Sequence, residues 1–126
     1  MPHDDVKTIV LIEDDADQRD MYGFALARAG FNVQIAKNGE EGIALVQKHK
    51  PHLVIIDILM PDMDGIEVLN RIKQESELAA IPAVFLTNYT KEDIMKRAKR
   101  AGADDILIKT EVTPRELASC LGNYLQ

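Results

Sequence analysis

The sequence predicts an α/β fold: (βα)5, a doubly wound five-stranded parallel sheet. Three observations predict it. Four short apolar runs of strand length recur along the chain. Stretches of helical periodicity lie between them. Capping residues mark the joins. Buried apolar strands joined by helices imply a parallel sheet covered on both faces. Right-handed crossovers then favour an open, doubly wound arrangement, with ligands bound outside the carboxyl ends of the strands.

Residues 1–5 read as a short disordered lead, which leaves 6–126 as one domain. The first strand is Thr8–Ile12 (TIVLI). Tyr22, Ala25, Leu26 and Ala29 then recur at helical spacing, and Gly30 ends that helix. Asn32–Ala36 alternates as an edge strand does. Asn38 and Glu41 are spaced as a capping box, ahead of a weaker stripe of Gly42, Leu45 and Val46. Leu53–Ile56 (LVII) is the third strand. Asp64 and Glu67 open a helix striped by Ile66, Leu69 and Ile72. Ala83–Leu86 (AVFL) is the fourth strand, followed by Ile94, Ala98 and Ala101 and a stop at Gly102. Ile106–Ile108 is the fifth. Thr113 with Glu116 caps the last helix, Pro114 occupies its first position, and Leu117, Cys120, Leu121 and Tyr124 form its stripe.

The 126 residues amount to one domain, with no room for a catalytic domain plus an output domain. Apolar residues at 46% and charged residues at 29% fit a soluble globular chain. A net charge of −6 argues against direct nucleic-acid binding as the main role. The single cysteine, Cys120, excludes an internal disulfide and a Cys-rich zinc site, and it reads as a small core residue. The longest apolar runs fall far short of the roughly 18–20 residues of a membrane helix. No membrane role is expected, and a cytoplasmic location is the default.

Chemistry gathers at the carboxyl ends of the strands. The first strand runs into Glu13, Asp14 and Asp15; the third ends at Asp57, the fourth at Thr87 and the fifth at Lys109. Crowded carboxylates raise one another's pKa, and a hard divalent cation relieves the cost. Mg²⁺ takes carboxylate and phosphate oxygens. A carboxylate beside it can attack phosphorus and form an aspartyl-phosphate. Asp57, at the tip of a central strand facing Glu13 and Asp14, is the best nucleophile. Lys109 and Thr87 have the charge and the proton to hold a phosphoryl group.

Four segments in this order, IEDD at 12–15, LVIIDILMPDMDG at 53–65, FLT at 85–87 and AGADDILIK at 101–109, make the chain resemble a CheY-like response-regulator receiver domain. The resemblance spans about Lys7 to Leu125. It implies a flavodoxin-like sheet of strand order 2-1-3-4-5. It implies Asp57 as phospho-acceptor, and Asp14, Asp57, Glu13 (directly or through water) and the carbonyl of Leu59 around Mg²⁺. Thr87 and Lys109 would read the phosphoryl oxygens, and Pro61 and Gly65 would shape the turn after Asp57. A histidine kinase or phosphotransfer protein would be the donor. The face of the fourth helix, fifth strand and fifth helix would meet an unknown protein target, as a monomer or a phosphorylation-dependent dimer.

Three positions depart from the family pattern. Ile106 stands where an inward-swinging aromatic is usual, and Asn88 where a small residue is usual. Thr110 stands in place of a proline that follows the lysine through a cis peptide, so a trans Lys109–Thr110 bond is expected. These departures keep a phosphate-independent interaction module as the alternative; a receiver cut from a longer chain is a further variant of the first reading. A phosphatase is disfavoured because no cap encloses a substrate. A flavin carrier is disfavoured because acids replace a phosphate loop. Asp64 reads as a helix cap, Glu40 and Glu41 as first-turn acids, and His3, His49 and His52 as ordinary surface residues. Lys91, Lys96, Arg97, Lys99 and Arg100 give the fourth helix a basic face, solvated or suited to an acidic partner.

Overall fold

A computed structural model describes residues 6–125, so the expected lead at 1–5 lies outside the described residues. Five parallel strands alternate with five helices: β1 (Thr8–Ile12), α1 (Ala16–Arg28), β2 (Asn32–Ala36), α2 (Gly39–His49), β3 (Leu53–Asp57), α3 (Gly65–Lys73), β4 (Ala83–Thr87), α4 (Glu92–Arg100), β5 (Asp105–Ile108) and α5 (Pro114–Cys120). The sheet order is β2-β1-β3-β4-β5. The order reverses beside β1, which places the switch point between β1 and β3.

Strand alternation divides the core in two. Val10, Ile12, Val54, Ile56 and Phe85 face α2, α3 and α4, meeting Val46, Leu69 and Ala98. Ile9, Leu11, Leu53, Ile55 and Leu86 face α1 and α5, meeting Tyr22, Leu26, Leu117 and Leu121. Each fully buried Ile or Leu contributes about 1.5–3 kcal/mol. The three inner strands are buried almost throughout, whereas every residue of β5 is only partly covered.

The predicted elements hold, with shifts at their ends. β3 and β4 run one residue further than their apolar cores, to Asp57 and Thr87, because a ladder pairs backbones and not side chains. β5 begins at Asp105. All three caps form: Asn38 Oδ1, Asp64 Oδ1 and Thr113 Oγ1 each accept the N–H three residues on. Only Thr113 completes the reciprocal box, since Glu41 instead accepts from Lys37. Gly30 and Gly102 follow their helices with positive φ, as a left-handed stop requires. Ala29 caps α1 and is exposed, not part of its buried stripe. α5 tightens into a 3₁₀ turn at Leu121–Tyr124, where the Tyr124 hydroxyl donates to the Asp105 carboxylate.

Candidate functional site

Glu13, Asp57 and Thr87 are the buried charged or polar residues among those described, and all three sit at the carboxyl edge of the sheet. Glu13 follows the last residue of β1. Asp57 ends β3, and Thr87 ends the adjacent β4. Asp14 is exposed at the mouth, yet carboxylate oxygens of Glu13, Asp14 and Asp57 all lie within 4.8 Å of one another. Lys109 enters from the end of β5, with Nζ 2.8 Å from Glu13 Oε1 and 3.5 Å from Asp57 Oδ1.

This crowding has an electrostatic cost. Burial, reinforced by the charge of Glu13, pushes the Asp57 carboxyl up to about 8, and Lys109 offsets only part of that. Burial pulls the Lys109 ammonium down, but its hydrogen bond to Glu13 and the charges of Asp57 and Glu13 outweigh it and leave the ammonium above its ordinary value. One cation among three converging carboxylates leaves negative charge uncompensated. An all-oxygen donor set with that deficit fits a hard divalent cation.

The surroundings hold these groups in place. Asp15 Oδ1 caps α1 by accepting from Asp17 and Gln18. Arg19 Nη1 donates to the carbonyls of Glu13 (3.1 Å) and Asp14 (2.8 Å), so the acid loop is braced from its own helix. After β3 the chain turns back tightly. The Gly65 N–H donates to the Ile58 carbonyl at 2.7 Å, and a Cβ at Gly65 would lie 2.3 Å from the Asp57 carbonyl oxygen. Only glycine fits there. Leu59 lies within this turn with its side chain exposed. Thr87 Oγ1 accepts the Tyr89 N–H at 2.9 Å, which leaves its own proton free to donate.

The comparisons with known proteins agree with this geometry. A family model described as the response regulator receiver domain matches residues 9–121. An uncharacterized 14.6 kDa protein of Leptolyngbya boryana is 35% identical over 116 residues, covering 92% of this chain and 88% of that protein. The phosphate regulon transcriptional regulatory protein PhoB of Pseudomonas aeruginosa is 35% identical over 120 residues; the match covers 95% of this chain but only 52% of PhoB. The solved structure of chemotaxis protein CheY4 of Vibrio cholerae superposes with a TM-score of 0.88 at 28% identity, covering 95% of this chain and 99% of that one.

The chain belongs to the response regulator receiver family.

Receiver domains are signalling phospho-acceptors of two-component systems, bind Mg²⁺ through acidic residues, and interact with histidine kinases or phosphotransfer proteins. No helix among the described residues is long and apolar enough to cross a membrane.

In this receiver the three departures have definite surroundings. Ile106 pairs in register with Phe85 and packs, half-buried, on the α4 side of the core. The Lys109–Thr110 bond is trans, and Lys109–Glu111 forms a 3₁₀ turn. Asn88 and Thr110, separate departures in the sequence, are joined in the fold: the Thr110 N–H donates to Asn88 Oδ1 at 3.1 Å. A proline at 110 has no N–H to give.

Sequence reading missed three residues on α1. Gln18 Oε1 accepts from Lys109 Nζ. Arg19 braces the acid loop. Tyr22 lies buried near the charged group, its phenol raised by burial, with Lys109 opposing and Glu13 and Asp57 adding. A polar Gln one turn ahead of an inward Tyr was the available signal, but its target is 91 residues away.

The bland readings of other groups also find support. Asp64 caps α3 and pairs with Arg97 at 3.6 Å. Glu40 pairs with Arg71, and His52 Nδ1 accepts the Thr8 N–H far from the acids. Lys91 stands at the N-cap of α4 and lies over the Tyr89 ring, not on the helix face expected for it. Of the remaining basic residues, Lys96 pairs with Glu92, leaving Lys99 and Arg100 at the exposed end.

Proposed function

We propose that Asp57 accepts a phosphoryl group from a phosphohistidine of a histidine kinase or phosphotransfer protein, in a Mg²⁺-dependent step in the cytoplasm. The observation that carries this reading is a buried carboxylate at a strand tip, faced at once by two acids and one lysine. Asp14 and Asp57, with Glu13 directly or through water and the Leu59 carbonyl, would hold the metal. Bound Mg²⁺ supplies positive charge against the carboxylates and the equatorial phosphoryl oxygens.

An Asp57 oxygen attacks phosphorus while the donor's P–N bond breaks, and the product is an acyl phosphate on Asp57. Lys109, already 3.5 Å from Asp57, moves its charge onto the new oxygens, and the free Thr87 proton donates to one of them. Water later breaks the O–P bond, returning the carboxylate and inorganic phosphate. Thr87 ends β4 and Lys109 ends β5, so both pulls act on the segments that flank α4. The altered α4–β5–α5 face then changes its affinity for a protein target or a second receiver. Direct nucleic-acid contact is not part of this reading. Ile106, which is no aromatic, favours the second reading: an interaction module indifferent to phosphate.

Intact mass after incubation with acetyl phosphate separates the two. A gain of one phosphoryl group that requires Mg²⁺ and disappears in Asp57→Ala is the expected result. No gain from either acetyl phosphate or a phosphohistidine donor would leave the phosphate-independent module.

A further inference from the structure

Lys109 is the cation of the site, yet it is not hydrogen-bonded to Asp57. An ammonium has three protons to give. Lys109 Nζ donates to Glu13 Oε1 at 2.8 Å and to the side-chain oxygen of Gln18, while Asp57 Oδ1 stands 3.5 Å away, beyond an ordinary N–H···O bond. The lysine side chain is only 10% exposed, so these protein contacts set its position.

Gln18 has no other duty that accounts for the contact. Its backbone N–H is taken by the Asp15 cap, which needs nothing from its side chain. Residues 14–17 and Asp20 are exposed, but Gln18 and Arg19 are half-buried. Arg19 fixes this first turn of α1 on the acid loop, through the carbonyls of Glu13 and Asp14. Tyr22, one turn further on, is buried in the core. Gln18 is thus a fixed post beside a lysine whose own strand is half-covered.

Metal binding and attack on phosphorus both require Asp57 to be ionised, and an ionised Asp57 draws the ammonium toward it. A lysine bonded to that carboxylate would occupy an oxygen that the metal or phosphorus must reach. Two bonds from the β1–α1 segment, to Glu13 and to Gln18, oppose that single carboxylate. On the reading that Asp57 is the phospho-acceptor, we propose that Gln18 is a positioning residue: its amide oxygen holds the Lys109 ammonium off Asp57 and keeps the acceptor open until a phosphoryl group arrives. A neutral amide suits the task, because hydrogen bonds to ionised acceptors are roughly twice as strong. Together with Glu13 it outweighs one carboxylate. It does not keep the lysine from a phosphoryl group that carries about two negative charges.

Gln18→Met tests this, since methionine is close in shape, favours helix about equally and offers no strong acceptor. The first readout is Mg²⁺ titration of the unphosphorylated protein, followed by amide NMR shifts at a pH high enough to ionise Asp57. The variant should bind Mg²⁺ about three- to tenfold more weakly than wild type. Its phosphorylation by acetyl phosphate at saturating Mg²⁺ should slow by a similar factor. In a Lys109→Met background the same change should leave Mg²⁺ binding unaltered, because Gln18 acts only through the lysine. Gln18→Glu keeps an oxygen at the same reach but grips the ammonium harder. It should match or exceed wild type in Mg²⁺ binding and still take up phosphate more slowly. Wild-type Mg²⁺ binding in Gln18→Met, phosphate uptake in it as fast as or faster than wild type, or a loss of Mg²⁺ binding that persists without Lys109 would each overturn the proposal. A wild type that binds Mg²⁺ but never takes up phosphate would overturn the role of Asp57 instead, and the Mg²⁺ titrations would still decide whether Gln18 holds the lysine off.

Discussion

The middle of the sheet and its β5 edge carry the same site but are built differently. β1, β3 and β4 are buried nearly throughout and present Glu13, Asp57 and Thr87 from beneath. β5 is only half-covered along its length, and its neighbour α4 buries Ala98 alone. Lys109 and Ile106 belong to that looser side. The proposed acceptor, Asp57, thus stands on the most tightly packed strands, while Lys109, the group proposed to follow a new charge, hangs on the least packed one. Precise placement of reacting atoms needs rigid support, whereas a segment that must shift is drawn from the low-stability end of the structure. One site can serve both needs only by straddling the two.

Ile56, Phe85 and Ile106 lie side by side in register on one sheet face, so they offer the most direct way to break the contrast. Ile56→Ala should cost about 3–5 kcal/mol and Ile106→Ala only about 1–2 kcal/mol. Urea unfolding measures both. Equal losses would mean that β5 is as firmly held as the centre, and the division into rigid and yielding halves would fail.

The central region has a weakness of its own, which is its charge. An Asp in an unfolded chain titrates near 3.8, whereas folded Asp57 keeps its proton up to about 8. The folded state therefore binds more protons across that window. Its stability is full below about pH 4 and declines as pH rises toward about 8. Asp57→Asn cannot ionise and escapes the decline. Without metal, the variant should match wild type near pH 4 and exceed it near pH 9, by on the order of 2 kcal/mol, or roughly 8 °C in Tm. Mg²⁺ should shrink that gap. Thermal melts at both pH values, with EDTA and with Mg²⁺, read the effect. A variant less stable than wild type at pH 9 would show that Lys109 compensates Asp57 fully.

How much of this was legible depended on whether a feature is local. The strands were readable because TIVLI, LVII and AVFL are apolar on both faces, and the caps because Asn38, Asp64 and Thr113 bond three residues on. The acids, Thr87 and Lys109 were readable because a parallel sheet brings every strand's carboxyl end to one edge. Long-range side-chain partnerships were not. Gln18 meets Lys109 only because the lysine side chain reaches from the end of β5 to the first turn of α1, and no periodicity encodes that. Asp15 sat in an acid run that drew attention to metal chemistry, which hid its plainer work as the cap of α1. Lys91 falls outside the basic helix face because α4 begins one residue later, and a run of charges does not mark a helix start.

The Asn88–Thr110 bond joins the two regions, since Asn88 follows β4 and Thr110 follows Lys109. It spans the gap across which Lys109 would move, so it should restrain the yielding side toward the rigid one. Both residues are exposed, and the restraint is correspondingly modest. Asn88→Ala should cost about 0.5–1 kcal/mol of local stability, read as roughly two- to fivefold faster hydrogen exchange at the Thr110 amide. Amides within β3 should not change. If exchange at Thr110 is unaltered, the 109–111 turn is held by its own 3₁₀ geometry and the two loops move independently. If the β3 amides quicken as well, the centre and the edge are one cooperative unit, and the difference in burial between them has no mechanical consequence.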